Sequence, residues 1–101
     1  TELRRLAGLS RAYRRYNVPL ERIAGGDQVG AVVAARELCA RLPDDPNARM
    51  RLGLSLAAGG NPEGGEILIA MADQSDKWLA YVRALCLRYD IDPRPILESL
   101  P

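Results

Sequence analysis

A chain of 101 residues, 48% hydrophobic and 27% charged, is enough for one small domain with one core. Histidine is absent, which removes the commonest general base and the commonest metal ligand, and a formal charge of +1 gives no whole-molecule field pointing to nucleic acid. No apolar run approaches the ~20 residues of a membrane span, and no signal peptide is read, so a cytoplasmic protein without cofactor or metal is expected. The charge is unevenly spread. Residues 1–22 hold Arg4, Arg5, Arg11, Arg14, Arg15 and Arg22 against Glu2 and Glu21, a net +4 that leaves −3 for the rest. Cys39 and Cys86 sit in apolar, helical-looking runs at a spacing that fits no metal knuckle or redox pair. They are expected to be two reduced, buried thiols.

Taken in order, residues 2–16 read as an amphipathic helix that Thr1 can cap. Leu6, Leu9, Tyr13 and Tyr16 gather on one side and Arg4, Arg11, Arg14 and Arg15 on the other, within an arc of about 100°. The arginine face is either a solvated surface or a contact for an acidic partner or phosphates. Asn17-Val18-Pro19 is predicted to break this helix and could hinge it, because Pro19 removes a donor and pushes Val18 to an extended conformation. The helix should nevertheless dock, since its apolar side needs cover. A short helix, Leu20–Ala24, then stops at Gly25-Gly26. Asp27 caps a helix from about Val29 to Leu42, with Val32, Ala35, Leu38 and Cys39 as its apolar stripe. Pro43-Asp44-Asp45-Pro46 stops it and starts a helix over 46–58, with Asp45 as cap and Pro46 in the first turn. Gly59-Gly60 ends that helix, and Asn61-Pro62-Glu63 starts the next, which runs to Ala72. Gly64 and Gly65 weaken its first turns, a cost a helix tolerates where another backbone must come close. Ser75 or Asp76 caps a helix from Lys77 to about Tyr89, with Trp78, Tyr81, Val82, Leu85 and Cys86 on its buried side. After Asp90-Ile91-Asp92-Pro93, a short helix from Pro95 to Leu100 closes the chain, with Ile96 and Leu100 facing inward. No alternating run of β-branched residues occurs, so the fold class is all-α: five to seven short helices stacked as antiparallel hairpins.

One stretch recurs. Ala24-Gly25-Gly26-Asp27 returns as Ala58-Gly59-Gly60-Asn61, 34 positions later by the Gly26–Gly60 spacing. Ala31 then matches Gly65, Ala35 matches Ile69, and Leu38 matches Ala72. Over roughly residues 19–95 the chain resembles a degenerate tetratricopeptide (TPR) array. In that register Leu52-Gly53 falls on the usual Leu-Gly, Leu56 on the large residue a turn later, Gly60-Asn61 on the inter-helix Gly-Asp, Ala72 on the late small residue and Pro43 on the closing proline. The chain departs from the pattern at Val18-Pro19, which leaves the first A-helix broken or absent, at Gly65, at Lys77, and in the early arrival of a third unit near Trp78. The chain is thus expected to be a single helical domain: a basic amphipathic helix over 1–17, TPR-like hairpins over 19–95 as the resemblance implies, and a C-terminal cap over 95–101. Its length, its turns and the tripeptide Trp78-Leu79-Ala80 are also similar to small type III secretion chaperones of the needle-subunit kind. That likeness implies a bacterial cytoplasmic chaperone of an aggregation-prone secreted subunit, often acting with a second small helical protein.

A TPR array binds through the concave face of its first helices. The resemblance puts Asn47, Met50, Leu54 and Ala57 on that face, followed by Leu79, Arg83 and Cys86. These residues either line a groove for a partner helix or pack the core, and Trp78 either anchors an interface or fills the core. Asp44 and Asp45 are explained by capping. Gly25-Gly26-Asp27 follows no strand and matches no phosphate-loop pattern. No catalytic constellation is visible. The sequence therefore reads as a non-enzymatic protein-binding module, adaptor or small chaperone, for a helical segment of another protein. The alternatives are an obligate homodimer and a helical nucleic-acid-binding domain using the Arg face. The second is not expected, because Pro19 and the double glycine leave too little room for a recognition helix.

Overall fold

Three of the helices end in the same hydrogen-bonded turn, and these turns set the architecture. The computed structural model describes residues 2–100, and their side chains except at positions 5–13. In chain order the helices are α1 (Glu2–Ala24), α2 (Gln28–Arg41), α3 (Pro46–Ala58), α4 (Pro62–Ala72), α5 (Asp76–Arg88) and α6 (Arg94–Glu98). The described residues contain no strand, so the fold is all-α. At the end of α1 the amide of Asp27 donates to the Arg22 carbonyl at 2.8 Å, at the end of α3 that of Asn61 to Leu56 at 2.9 Å, and at the end of α5 that of Ile91 to Cys86 at 2.8 Å. This is the Schellman closure, which needs one residue at positive φ. Gly26 (φ 83°), Gly60 (φ 79°) and Asp90 (φ 60°) supply it. The spacing is 34 residues and then 30.

The helix starts follow the caps. The side chain of Asp27 accepts from the Gly30 amide, that of Asp45 from Asn47 and that of Asn61 from Glu63, each at 2.9 Å. The Ser75 hydroxyl accepts from the Trp78 amide at 3.2 Å, so Ser75 and not Asp76 is the cap of α5. Asp92 accepts from the Arg94 amide at 3.0 Å and pairs with its guanidinium at 2.8 Å, holding the start of α6. That pairing lowers the Asp92 pKa, chiefly through the side-chain hydrogen bonds. Thr1 and Pro101 lie outside the described residues.

The predicted break at Asn17-Val18-Pro19 is overturned: α1 runs through Pro19 to Ala24 without interruption. A proline inside a helix costs about 3 kcal/mol, but three buried ring methylenes recover about 0.8 kcal/mol each. Pro19 is fully buried, and Leu20 and Ile23 beyond it pack on the core. The helix is also held from outside. Arg51 of α3 donates from Nε to the Tyr16 carbonyl at 2.6 Å and from Nη1 to the Asn47 carbonyl at 2.9 Å, and its guanidinium lies 5.0 Å from the Tyr16 ring centre. The Tyr16 hydroxyl donates to the Asp45 carboxylate. Val18-Pro19 is therefore a docked part of the helix, not a hinge. α1 packs against both α2 and α3. The side chains of Leu6, Leu9 and Tyr13, the rest of the apolar side that needs cover, lie outside those described; Tyr16 is half-buried.

The core sits between α3, α4 and α5, where Met50, Leu54, Leu68, Met71, Val82 and Cys86 are fully buried, with Ile96 of α6 closing one end. α3 and α4 approach closely because of two glycines. A Cβ on Gly64 would stand 2.3 Å from the Ala57 nitrogen and 2.6 Å from the Gly53 carbonyl oxygen, and one on Gly53 would stand 3.0 Å from Leu68 Cδ2. The close approach expected at Gly64 is thus present. At Gly65 it is not, since nothing lies within 4 Å of a Cβ there. Tyr81, placed on the buried side of α5 by its spacing, is 41% exposed, with its ring 5.9 Å from that of Trp78. Of the α2 stripe, Ala35 and Leu38 are buried, Val32 and Cys39 are half-buried, and Ala31 joins the core instead.

Candidate functional site: a cleft at three helix ends

α1, α3 and α5 end on the same side of the molecule, and their last residues, Ala24, Ala58 and Arg88, border one cleft of about 830 Å³. Leu20 and Ile23 from α1 and Tyr89 after α5 supply apolar surface. Asn17, Glu21, Gln28, Arg88 and Asp90 supply polar rims. The local sequence accounts for the placement. Each helix is stopped by its left-handed residue, so each presents a C-terminal turn to the same space. A helix C-terminus carries a partial negative charge of about half an electron. Two carboxylates, Glu21 and Asp90, stand in the same lining against one cation, Arg88, whose guanidinium lies 5.7 Å from the Tyr89 ring centre. The lining is therefore more polar than apolar, and its charge favours a cationic group.

The residues expected on a concave binding face do not assemble into one. Met50, Leu54 and Cys86 are completely buried, so they are core and line no open groove. Ala57, Trp78 and Leu79 are half-buried against that core, and Asn47 and Arg83 are exposed. The physical reason is the packing. With the first helix continuous, α1 packs on α2 and α3, while Met50 and Leu54 of α3 and Cys86 of α5 are closed off in the core that α3, α4 and α5 share, so no face of α3 and α5 is left open between them. On the basic face, Arg4, Arg14 and Arg15 are exposed, while the Arg11 side chain lies outside those described. Sequence reasoning missed Arg51, which fastens α1, and the lining residues Glu21, Arg88, Tyr89 and Asp90. A signal for the last existed in the third turn after Gly26 and Gly60. Its four-residue shift and its use of Asp in place of Gly concealed it.

Both cysteines are free thiols. Burial pushes the Cys86 thiol up to about 11, and burial also raises that of Cys39, opposed in part by the nearby Arg49 and Arg36. Among the described residues no helix is long and apolar enough to cross a membrane. Comparisons with protein-family models, with curated proteins and with solved structures found no match to this chain.

Proposed function

We propose that the protein is a non-enzymatic, TPR-like interaction module whose cleft between α1, α3 and α5 accepts a helical segment of another protein. The observation that carries this reading is the convergence of three helix C-termini on a single cleft of about 830 Å³, bordered by Leu20, Ile23 and Tyr89 beside Glu21 and Asp90. An amphipathic helix would lay its apolar side on Leu20, Ile23 and Tyr89. Basic residues on its flank would meet Glu21, Asp90 and the negative ends of the helices. A small cytoplasmic chaperone of bacterial secretion, guarding a helical subunit, is one form such a module takes; the Trp78-Leu79-Ala80 resemblance supports it and the cleft is compatible with it.

The test uses Ala24, which is exposed and outside the core. Ala24→Trp should fill the cleft while the circular dichroism spectrum stays native. A photo-crosslinking residue at position 24 should capture a partner from the source lysate, and the same residue at Glu66, exposed on α4, should not. Equal binding of that partner by the native and Ala24→Trp proteins would rule out the cleft.

A further inference from the structure

A second surface, separate from the cleft, lies between α1 and α2. Arg15 and Arg22 from α1 and Arg41 from α2 line a hollow of about 180 Å³ together with Val18 and Leu38. All three arginines are exposed, and none has a carboxylate within 4.0 Å among the described residues. Arg22 is already oriented, since its Nη1 donates to the Gly30 carbonyl at 2.8 Å. The only acid in the lining is Glu37. A solvated basic face usually carries interspersed acids that partner its cations. Here three arginines from two helices line one partly apolar depression.

We propose that this hollow docks an acidic helical segment of a partner protein. Arg15 and Arg22 are seven residues apart on one helix, about 10 Å along its axis at 1.5 Å per residue. Carboxylates at i and i+7 on a partner helix have the same separation, and an apolar residue between them would meet Val18 and Leu38. Charge complementarity at such a surface gives orientation and association rate more than raw affinity. A nucleic-acid backbone fits less well. Glu37 stands in the hollow, and residues 52–101 carry four cations against seven carboxylates, a net −3 that repels a long polyanion.

The probe is a fluorescein-labelled amphipathic peptide with glutamates at i, i+4 and i+7, read by anisotropy at low salt against the same peptide with glutamine in their place. The Glu peptide should bind the native protein, and the Gln peptide should not. Arg15→Glu combined with Arg41→Glu should weaken binding by about tenfold or more, and Glu37→Gln should tighten it by about threefold. Lys77→Glu, at an exposed position of α5, should change nothing. Binding should vanish near 1 M salt, where the screening length is ~3 Å. The tightening by Glu37→Gln cannot arise from misfolding, so it keeps the proposal testable even if the double reversal destabilises the protein. Equal binding of the two peptides, indifference to Arg15 and Arg41, no binding at all at low salt, or preferential binding of a mixed-sequence DNA duplex would each overturn the proposal.

Discussion

The α3–α4 hairpin and the attachment of α1 to α3 solve the same problem in different ways. α3 and α4 meet backbone to backbone: Gly64 leaves no room for even one carbon beside Ala57 and Gly53. α1 meets α3 through a long polar side chain, with Arg51 reaching a carbonyl of each helix and stacking on Tyr16. The first contact is steric and tolerates almost no substitution. The second is electrostatic and can be weakened by degrees. The difference shows that closeness in this fold is set by missing atoms in its middle and by added ones at its edge.

The sharpest way to break that comparison is Gly64→Ala. The atoms a Cβ would meet are backbone and cannot move aside, so the loss should be about 3 kcal/mol or more, a large share of the stability of a small domain. Gly65→Ala, a step away in open space, should instead stabilise by about 0.5–1 kcal/mol. Urea midpoints measure both, and similar midpoints for the two variants would refute the close crossing. Arg51→Met keeps the stem but abandons two carbonyl bonds, and should cost about 2–3 kcal/mol. Amide exchange should then accelerate in the last turns of α1 before it does in α4. Uniform acceleration would mean that Arg51 stabilises the whole domain and does not latch one helix.

The turns give smaller effects. Gly26→Ala and Gly60→Ala meet no atom within 4 Å, so only the left-handed backbone is charged for, at about 1 kcal/mol each. Asp90→Gly relieves that strain in the third turn and should gain about 0.5 kcal/mol. Thermal melts that rank Asp90→Gly below the native protein would show that the Asp side chain contributes something of its own. The shallowest effect is a slope with pH. The Cys86 thiol is raised in the folded state to about 11 from an ordinary value of 9.0. Its contribution is therefore intact below pH 9 and is lost as pH rises from about 9 towards 11, because the unfolded chain ionises first. Cys86→Ala should flatten the decline in urea midpoint over that interval.

Much of the fold was legible locally. Asp27, Asp45 and Asn61 cap the helices they were expected to cap, and α3 and α4 begin and end where Pro46, Pro62, Gly59 and Ala72 place them. The candidate site was not legible. Its lining comes from residues more than 60 positions apart, such as Glu21 and Asp90, and was hidden by the reading of Pro19 as a break.

The sequence alone determined where helices start and stop, because capping and left-handed turns act over four or five residues and are written in residue type. The all-α class follows from the same signals. The tertiary structure decided three other things: that α1 continues through a buried proline, that Met50 and Leu54 are core, and that the accessible cleft lies at the helix ends. Each depends on what packs beside a residue. A proline's cost is local, but the burial and the Arg51 hydrogen bonds that offset it come from a helix some thirty residues away. An apolar stripe shows that a surface will be covered, and only the packed chain shows by what.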